Sequence, residues 1–210
     1  MTRTEAFRQH ADHYDQWFEE HRSVYEAELR AVSSVLPRNG RGLEIGAGTG
    51  RFAVPLGVDI GLEPVDEMRE NARKRGLSVL AGTAEHLPFL TGSFAYALMV
   101  TTVCFLDDLE GSFREAFRVL EGGGFLVVGF IDRDSPVGTL YQRHKHESLF
   151  YRQAEFRSSD EVLHAMERAG FRDFVLRQTI FGGLSGVTES EPVEPGCGRG
   201  SFVVVRGSKG

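Results

Sequence analysis

The sequence predicts an α/β fold, a mainly parallel sheet with helices on both faces, and three observations carry that reading. Strand-like and helix-like segments alternate from residue 41 to the C-terminus, the pattern of a sheet built through crossover connections. Phe94 to Phe105 is an almost unbroken apolar run, which suits a parallel strand buried on both faces. Most informative is Leu43-Glu44-Ile45-Gly46-Ala47-Gly48-Thr49-Gly50, where a short apolar stretch containing an acid runs into glycines at alternate positions. Glycine lets the backbone turn sharply and approach a ligand with no side chain between them. A strand that enters such a turn and leaves as a helix points unpaired backbone N–H groups outward. The turn is a mould for a nucleotide-like ligand.

The elements follow in order. Thr4 to about Leu36 reads as helix, with Phe7, Ala11, Tyr14, Phe18, Tyr25, Leu29, Val32 and Val35 at helical spacing. Pro37 to Arg41 is punctuation. The first strand leads into the glycine turn and a short helix from Arg51, which Pro55 is expected to stop. Val58, Ile60 and Leu62 alternate with Asp59, Gly61 and Glu63, a strand that Pro64 ends. Val65 to Arg75 reads as a helix closed by Gly76, Ser78 to Leu80 as the third strand, and the Phe94 run as the fourth. Asp107 or Asp108 caps a helix to Leu120 that Gly122-Gly123-Gly124 ends, and Phe125 to Ile131 is the fifth strand. Asp134 to about Arg157 is polar and aromatic, helical in part. Ser158 or Ser159 opens another helix with Glu161 in its first turn, closed by Gly170. Phe171 to Phe181 and Ser201 to Arg206 complete the sheet. Between them Gly182 to Gly200, rich in Gly, Pro and Glu, reads as loop.

A chain of 210 residues suits one domain with a sizeable core. Its net charge of −6 and pI near 5.7 argue against nucleic acid as a partner, because phosphates call for a basic face. Cys104 and Cys197 form neither a disulfide framework nor a zinc spacing. His144-x-His146 and the pair His10 and His13 lack a third ligand at useful spacing, so no metal is expected. No apolar stretch reaches membrane-spanning length and the N-terminus has no signal-peptide core. The expectation is a cytoplasmic protein without a membrane span, its oligomeric state open.

An acid at the end of the second strand can accept hydrogen bonds from both hydroxyls of a ribose lying over the glycine turn. Asp59 and Glu63 are the two candidates, and strand-end placement favours Glu63. After the third strand, Gly82-Thr83-Ala84-Glu85-His86-Leu87-Pro88-Phe89 is a polar turn at the carboxyl edge of the sheet, where such folds bind ligands. A backbone N–H near Ala84 and the Glu85 carboxylate suit the edge of an adenine.

At this point the chain resembles a known family. Glu44-Ile45-Gly46-Ala47-Gly48-Thr49-Gly50 looks like the first motif of class I S-adenosylmethionine-dependent methyltransferases. Gly61-Leu62-Glu63-Pro64 with Met68 resembles the second, and Ala84-Glu85-His86-Leu87-Pro88-Phe89 the third. Phe117-Arg118-Val119-Leu120 with Gly122-Gly123-Gly124 resembles the turn before strand five. Ala11-Asp12-His13-Tyr14-Asp15-Gln16-Trp17-Phe18 is similar to the N-terminal segment of small-molecule members, the group around quinone C-methyltransferases. The resemblance implies a Rossmann-like three-layer αβα sandwich with a mostly parallel seven-stranded sheet, its last strand antiparallel. It implies one methyltransferase domain over 1–210: a helical cover over 1–40, a cofactor-binding half over 41–131, a substrate-side cover over 132–157, and a C-terminal helix and strands over 158–210.

The same resemblance implies S-adenosylmethionine as cofactor, S-adenosylhomocysteine as product and a small-molecule acceptor. Gly46, Gly48 and Gly50 would lie against the methionyl part, with Glu44 orienting its amino group. Glu63 would hold the ribose, Pro64 and Met68 would flank the adenine, and Ala84 and Glu85 would bind its edge. Thr101 would approach the sulfonium.

Two features depart from the family pattern. From Gly50 to Glu63 the chain is about one helical turn short, so the first helix is stunted, leaving the methionyl pocket either open or covered by the N-terminal helices. Ala95 stands where an acid is common. Methyl transfer needs positioning more than a base, and no conspicuous catalytic residue stands out. Acceptor-side candidates are Tyr14 and Trp17, Thr101, Thr102 and Cys104, and His144, His146 and Glu147. Two other readings are a non-catalytic S-adenosylmethionine-binding sensor or scaffold and a nicotinamide-dependent oxidoreductase. The usual Gly-x-Gly-x-x-Gly spacing of the latter differs from the one here.

Overall fold

The structure, a computed structural model, describes residues 4–210. Three helices open the chain, α1 (Glu5–Gln9), α2 (Ala11–Glu20) and α3 (Arg22–Ser33), where the periodicity predicts one. The breaks fall at His10 (φ −138°, ψ 36°) and His21 (φ −117°, ψ 42°), both outside helical geometry. They let α3 pack on the sheet while α1 and α2 fold back over α5.

The alternating half follows in sequence: β1 (Gly42–Ile45), α4 (Ala53–Leu56), β2 (Ile60–Leu62), α5 (Asp66–Lys74), β3 (Ser78–Leu80), β4 (Phe94–Val100), α6 (Leu109–Val119) and β5 (Leu120–Ile131). The remainder is α7 (Pro136–His144), α8 (Ser159–Ala169), β6 (Arg172–Thr179), β7 (Glu194–Pro195) and β8 (Phe202–Ser208). One sheet holds all the strands in the order β3-β2-β1-β4-β5-β8-β6-β7. β1 to β5 run parallel, and β8 is antiparallel to both β5 and β6. The seven expected strands are present, with the last antiparallel. An eighth, the two-residue edge strand β7, forms inside the connection read as loop, where Arg177 and Gln178 offer pairing partners.

Successive residues of β4 serve two cores. Ala97 and Met99 join the side packed by Phe113 of α6 and by Val162 and Met166 of α8. Leu98 and Val100 join the side packed by Ala31 and Val32 of α3. That alternation is the three-layer sandwich at the level of single residues. Strand order reverses between β1 and β4, and the crevice outside their carboxyl ends is where the sheet leaves room for a ligand.

Several local expectations need correction. Pro55 does not stop α4. It sits in the first turn, where its missing N–H would be unpaired in any case, and Gly57 at φ 70° ends the helix. The Phe94 run ends as a strand at Val100 and continues as a short 3₁₀ turn, Val103–Phe105. The three glycines after α6 lie inside β5, where Gly123 (φ 77°) and a register shift opposite Phe94 and Tyr96 form a bulge. Asp108, not Asp107, caps α6. Ser158 and Glu161 form a capping box and Gly170 closes α8, as the spacing predicts.

Asp132 fastens this C-terminal layer. Its Oδ2 accepts from the Ser159 amide at 3.0 Å and from the Ser159 hydroxyl, and its Oδ1 accepts from the Asp134 amide at 2.8 Å. One buried carboxylate thereby ties the end of β5 to the N-terminus of α8, where negative charge is favoured. Replacing Asp132 with Ala leaves those donors unpaired, and urea denaturation will show a loss of about 2–3 kcal/mol.

Candidate active site

Gly46, Gly48 and Gly50 have φ of 74°, 54° and 81°, a left-handed region in which a side chain is strained. The Leu62 carbonyl accepts from the amides of Gly46 at 2.8 Å and Ala47 at 2.9 Å, which locks the turn to β2. A Cβ on Gly46 would come within 2.5 Å of Thr102 Cγ2. Thr102 therefore buttresses the turn from below, its hydroxyl donating to the Val100 carbonyl at 3.0 Å.

Glu63 follows β2 directly and is buried. Its Oε2 accepts from the Gly48 amide at 3.0 Å and its Oε1 from the Val65 amide at 2.9 Å. Burial raises its pKa; the two amides and the nearby Arg69 guanidinium oppose that rise. Asp59 stands at the other end of the strand, where its Oδ2 accepts from the Gly42 amide at 2.7 Å. That contact is structural and remote from the crevice.

Glu44 lies beneath the turn at 1% exposure, and its Oε2 is buried without a hydrogen-bond partner. Burial holds its carboxyl well above the usual range, a bond from the Ala53 amide opposes this, and the charge of Glu63 adds to it.

Two cavities meet above the carboxyl ends of the strands. The first, about 310 Å³, is bounded by Gly46 and Gly48, by Glu63, Pro64 and Met68, by Ala84 and Glu85, and by Thr101 and Thr102. Most of the residues singled out from the motifs thus surround one space. Gly50 does not: it faces Leu77, Val54 and Ala72 and permits the turn to pack on α5. The second cavity, about 250 Å³, lies under the N-terminal helices and is walled mainly by aromatic rings, among them Tyr14, Trp17, Tyr141, Phe150 and Tyr151. Phe7, Tyr14, Thr101 and Phe105 line both. Thr101 has φ 54°, unusual for a β-branched residue, and sits at the junction with its side chain close to the Tyr14 hydroxyl.

The cover is fastened by Asp15. Its carboxylate accepts from Thr49 Oγ1 at 2.6 Å, Arg51 Nε at 3.0 Å and Arg75 Nη2 at 2.7 Å. Arg51 also reaches Glu19 at 2.7 Å and lies over the Phe18 ring. The four-residue α4 is as stunted as the sequence implies, and the N-terminal helices, not open solvent, close the gap.

His144 is not part of either space. It is exposed and pairs with Glu147, as does His146. The sequence reading missed Glu28, which lines the aromatic cavity at 3% exposure. Among the described residues no donor or cation pairs with it, and burial alone pushes its carboxyl up to about 8. The available signal was an acid at a core position of α3, flanked by Val24, Ala27, Ala31 and Val32.

A carboxyl whose pKa is raised on folding contributes no penalty while protonated and destabilises once charged. Glu28 therefore costs stability increasingly as pH rises from 4.5 through about 8. Glu28→Gln removes that loss, so its thermal midpoint will exceed that of the native protein at pH 9 and match it near pH 4.5.

Comparison with known proteins agrees with this geometry. A family model described as a methyltransferase domain matches residues 43–128. A crystal structure of an S-adenosylmethionine-dependent methyltransferase of Thermotoga maritima, described as a "possible histamine N-methyltransferase", is 50% identical, with 99% of this chain and 100% of that one covered and a TM-score of 0.96. An uncharacterised protein of Methanocaldococcus jannaschii is 40% identical over 97% of this chain and 98% of its own. The malonyl-[acyl-carrier protein] O-methyltransferase of Geobacter sulfurreducens is 29% identical over 80% of this chain and 68% of its own. The chain belongs to the class I S-adenosylmethionine-dependent methyltransferases, enzymes that take S-adenosylmethionine as their cofactor.

Proposed function

We propose that this enzyme transfers the methyl group of S-adenosylmethionine, held in the cavity at the glycine turn, to a small molecule held in the aromatic cavity beside it. The observation that carries the reading is the wall of Phe7, Tyr14, Thr101 and Phe105 common to both spaces. It brings a donor and an acceptor to one junction while the rings exclude water. The cofactor supplies a methyl group already activated on a sulfonium.

The residues fit that cofactor. The unpartnered Glu44 oxygen is a buried acceptor under the turn, suited to the ammonium of a methionyl group. At Gly48 a Cβ would meet Met68 Cε at 3.6 Å and Tyr14 Cε1 at 3.9 Å, ordinary contacts, so the demand for glycine there comes from its φ of 54°. Glu63, fixed by two backbone amides, presents a carboxylate to ribose hydroxyls. Pro64 and Met68 offer apolar faces for an adenine, and Ala84 and Glu85 its edge. Thr101 sits nearest the junction of donor and acceptor, Tyr14 closes it as a lid ring, and Thr102 acts on the turn and not on substrate. His144 has no part in this scheme.

With the chemistry confined to this crevice, the chain works as one methyltransferase domain on a small molecule and needs no nucleic-acid surface. A cytoplasmic site of action fits Cys104, buried, and Cys197, exposed, which form no disulfide with each other.

The assignment of roles on β2 is directly testable. Glu63→Ala will weaken S-adenosylhomocysteine binding at least tenfold in calorimetry, about the 1.5–3 kcal/mol of a charge-assisted hydrogen bond. Asp59→Ala will lower stability and leave that affinity unchanged. The reverse pattern would place the ribose at the wrong end of the strand.

A further inference from the structure

The aromatic cavity contains one carboxyl group that the fold itself does not use. Glu28 projects from α3, is 3% exposed and lines the space. It has neither a hydrogen-bond donor nor a counter-ion among the described residues. An unpaired buried carboxyl is a standing cost to folding. A ligand that supplies the missing partner removes that cost.

The surroundings select which partner. Tyr14 from α2, Tyr141 from α7 and Tyr151 from the 3₁₀ turn Tyr151–Gln153 all feel the charge of Glu28. Burial raises the pKa of each phenol, so the three stay neutral near pH 7. Tyr141 stacks on Tyr151 at 5.2 Å between ring centres, and Tyr151 on Phe105 at 6.1 Å. A ring-walled space whose buried acid has no partner is a setting for an organic cation, attracted by the ring faces and paired by the carboxylate. At about 250 Å³ it lies below the range of roughly 300–1,000 Å³ usual for drug-sized sites, so the occupant is small.

We propose that Glu28 is the charge-recognising residue of the acceptor site and that the acceptor is a small amine whose protonated nitrogen pairs with its carboxylate against the tyrosine rings. The inference rests on the reading of the aromatic cavity as the acceptor site and adds to it a substrate class and the residue that selects it.

Binding of such a cation has a proton signature. In the free enzyme at pH 7 Glu28 is mostly protonated, and an adjacent ammonium favours the charged form. Amine uptake therefore expels close to one proton from Glu28. His13 and Glu20, both on α2, also line the space, and the Glu28 variant separates their contribution.

The test is calorimetry on the S-adenosylhomocysteine-loaded enzyme at pH 7 with 2-phenylethylamine, its neutral analogue 2-phenylethanol, and the ketone phenylacetone, in buffers of different ionisation enthalpy. The native enzyme will bind the amine at least tenfold more tightly than the alcohol and release close to one proton. Glu28→Gln will lose both the preference and the proton release. S-adenosylhomocysteine affinity, measured first in each protein, reports on the cofactor reading separately. If it is intact and the amine fails to bind, binds no better than the alcohol, or keeps its preference in Glu28→Gln, the amine proposal is wrong while the methyltransferase reading stands. Preference for the ketone overturns it equally, because the neutral carboxyl would then be a hydrogen-bond donor. Should Glu28→Gln not fold, the near-isosteric Glu28→Met takes its place, with the same loss of preference and of proton release expected.

Discussion

The carboxylate of Asp15 is the contact on which the arrangement of this molecule depends. Thr49 comes from the glycine turn, Arg51 from the turn just before the stunted helix and Arg75 from the C-cap of α5, and all three donate to it. Asp15 stands one residue beyond Tyr14 on α2, so fastening the one fixes the other over the crevice. At 16% side-chain exposure the charges are mostly withdrawn from water. Such a cluster holds together when complete, and losing one member is costly because the others stay buried without partners. The cover is thus part of the site's construction.

Around that contact the fold keeps three carboxyl groups out of solvent, Glu28, Glu44 and Glu63, each raised above its ordinary pKa chiefly by burial. Only Glu63 receives two backbone amides. A protein selected for stability alone would put apolar side chains at such positions. Their concentration near one crevice is a physical reason to read it as a working site. It also explains why β1, which would otherwise be a uniformly apolar central strand, carries an acid.

Much of the fold and half of the site were legible from neighbouring residues. Alternation over Val58 to Glu63, the glycine turn, the Ser158 and Glu161 cap and the Gly170 closure are local statements, and local chemistry decides them. Glu63 could be preferred over Asp59 because strand ends and ligand crevices coincide. The breaks at His10 and His21 were invisible, since histidine carries no helix-stop signal and the breaks are imposed by packing α3 on the sheet. Pro55 misled because the helix starts later than the sequence suggests. Glu28 escaped because the rings beside it, Tyr141 and Tyr151, lie more than a hundred residues away, and an acid between apolar positions of a helix carries no local signal that it is buried. His144 was selected by residue type, and no tertiary contact draws it inward.

The shared wall of Phe7, Tyr14, Thr101 and Phe105 has a thermodynamic consequence. A ligand in one cavity presses on rings that also bound the other, so the two occupancies are coupled. Coupling of this kind is reciprocal: the factor by which the first ligand alters the affinity of the second equals the factor by which the second alters the first. Under the proposed assignment of the two cavities, the same reciprocity governs the affinities of the methylated acceptor and the spent cofactor.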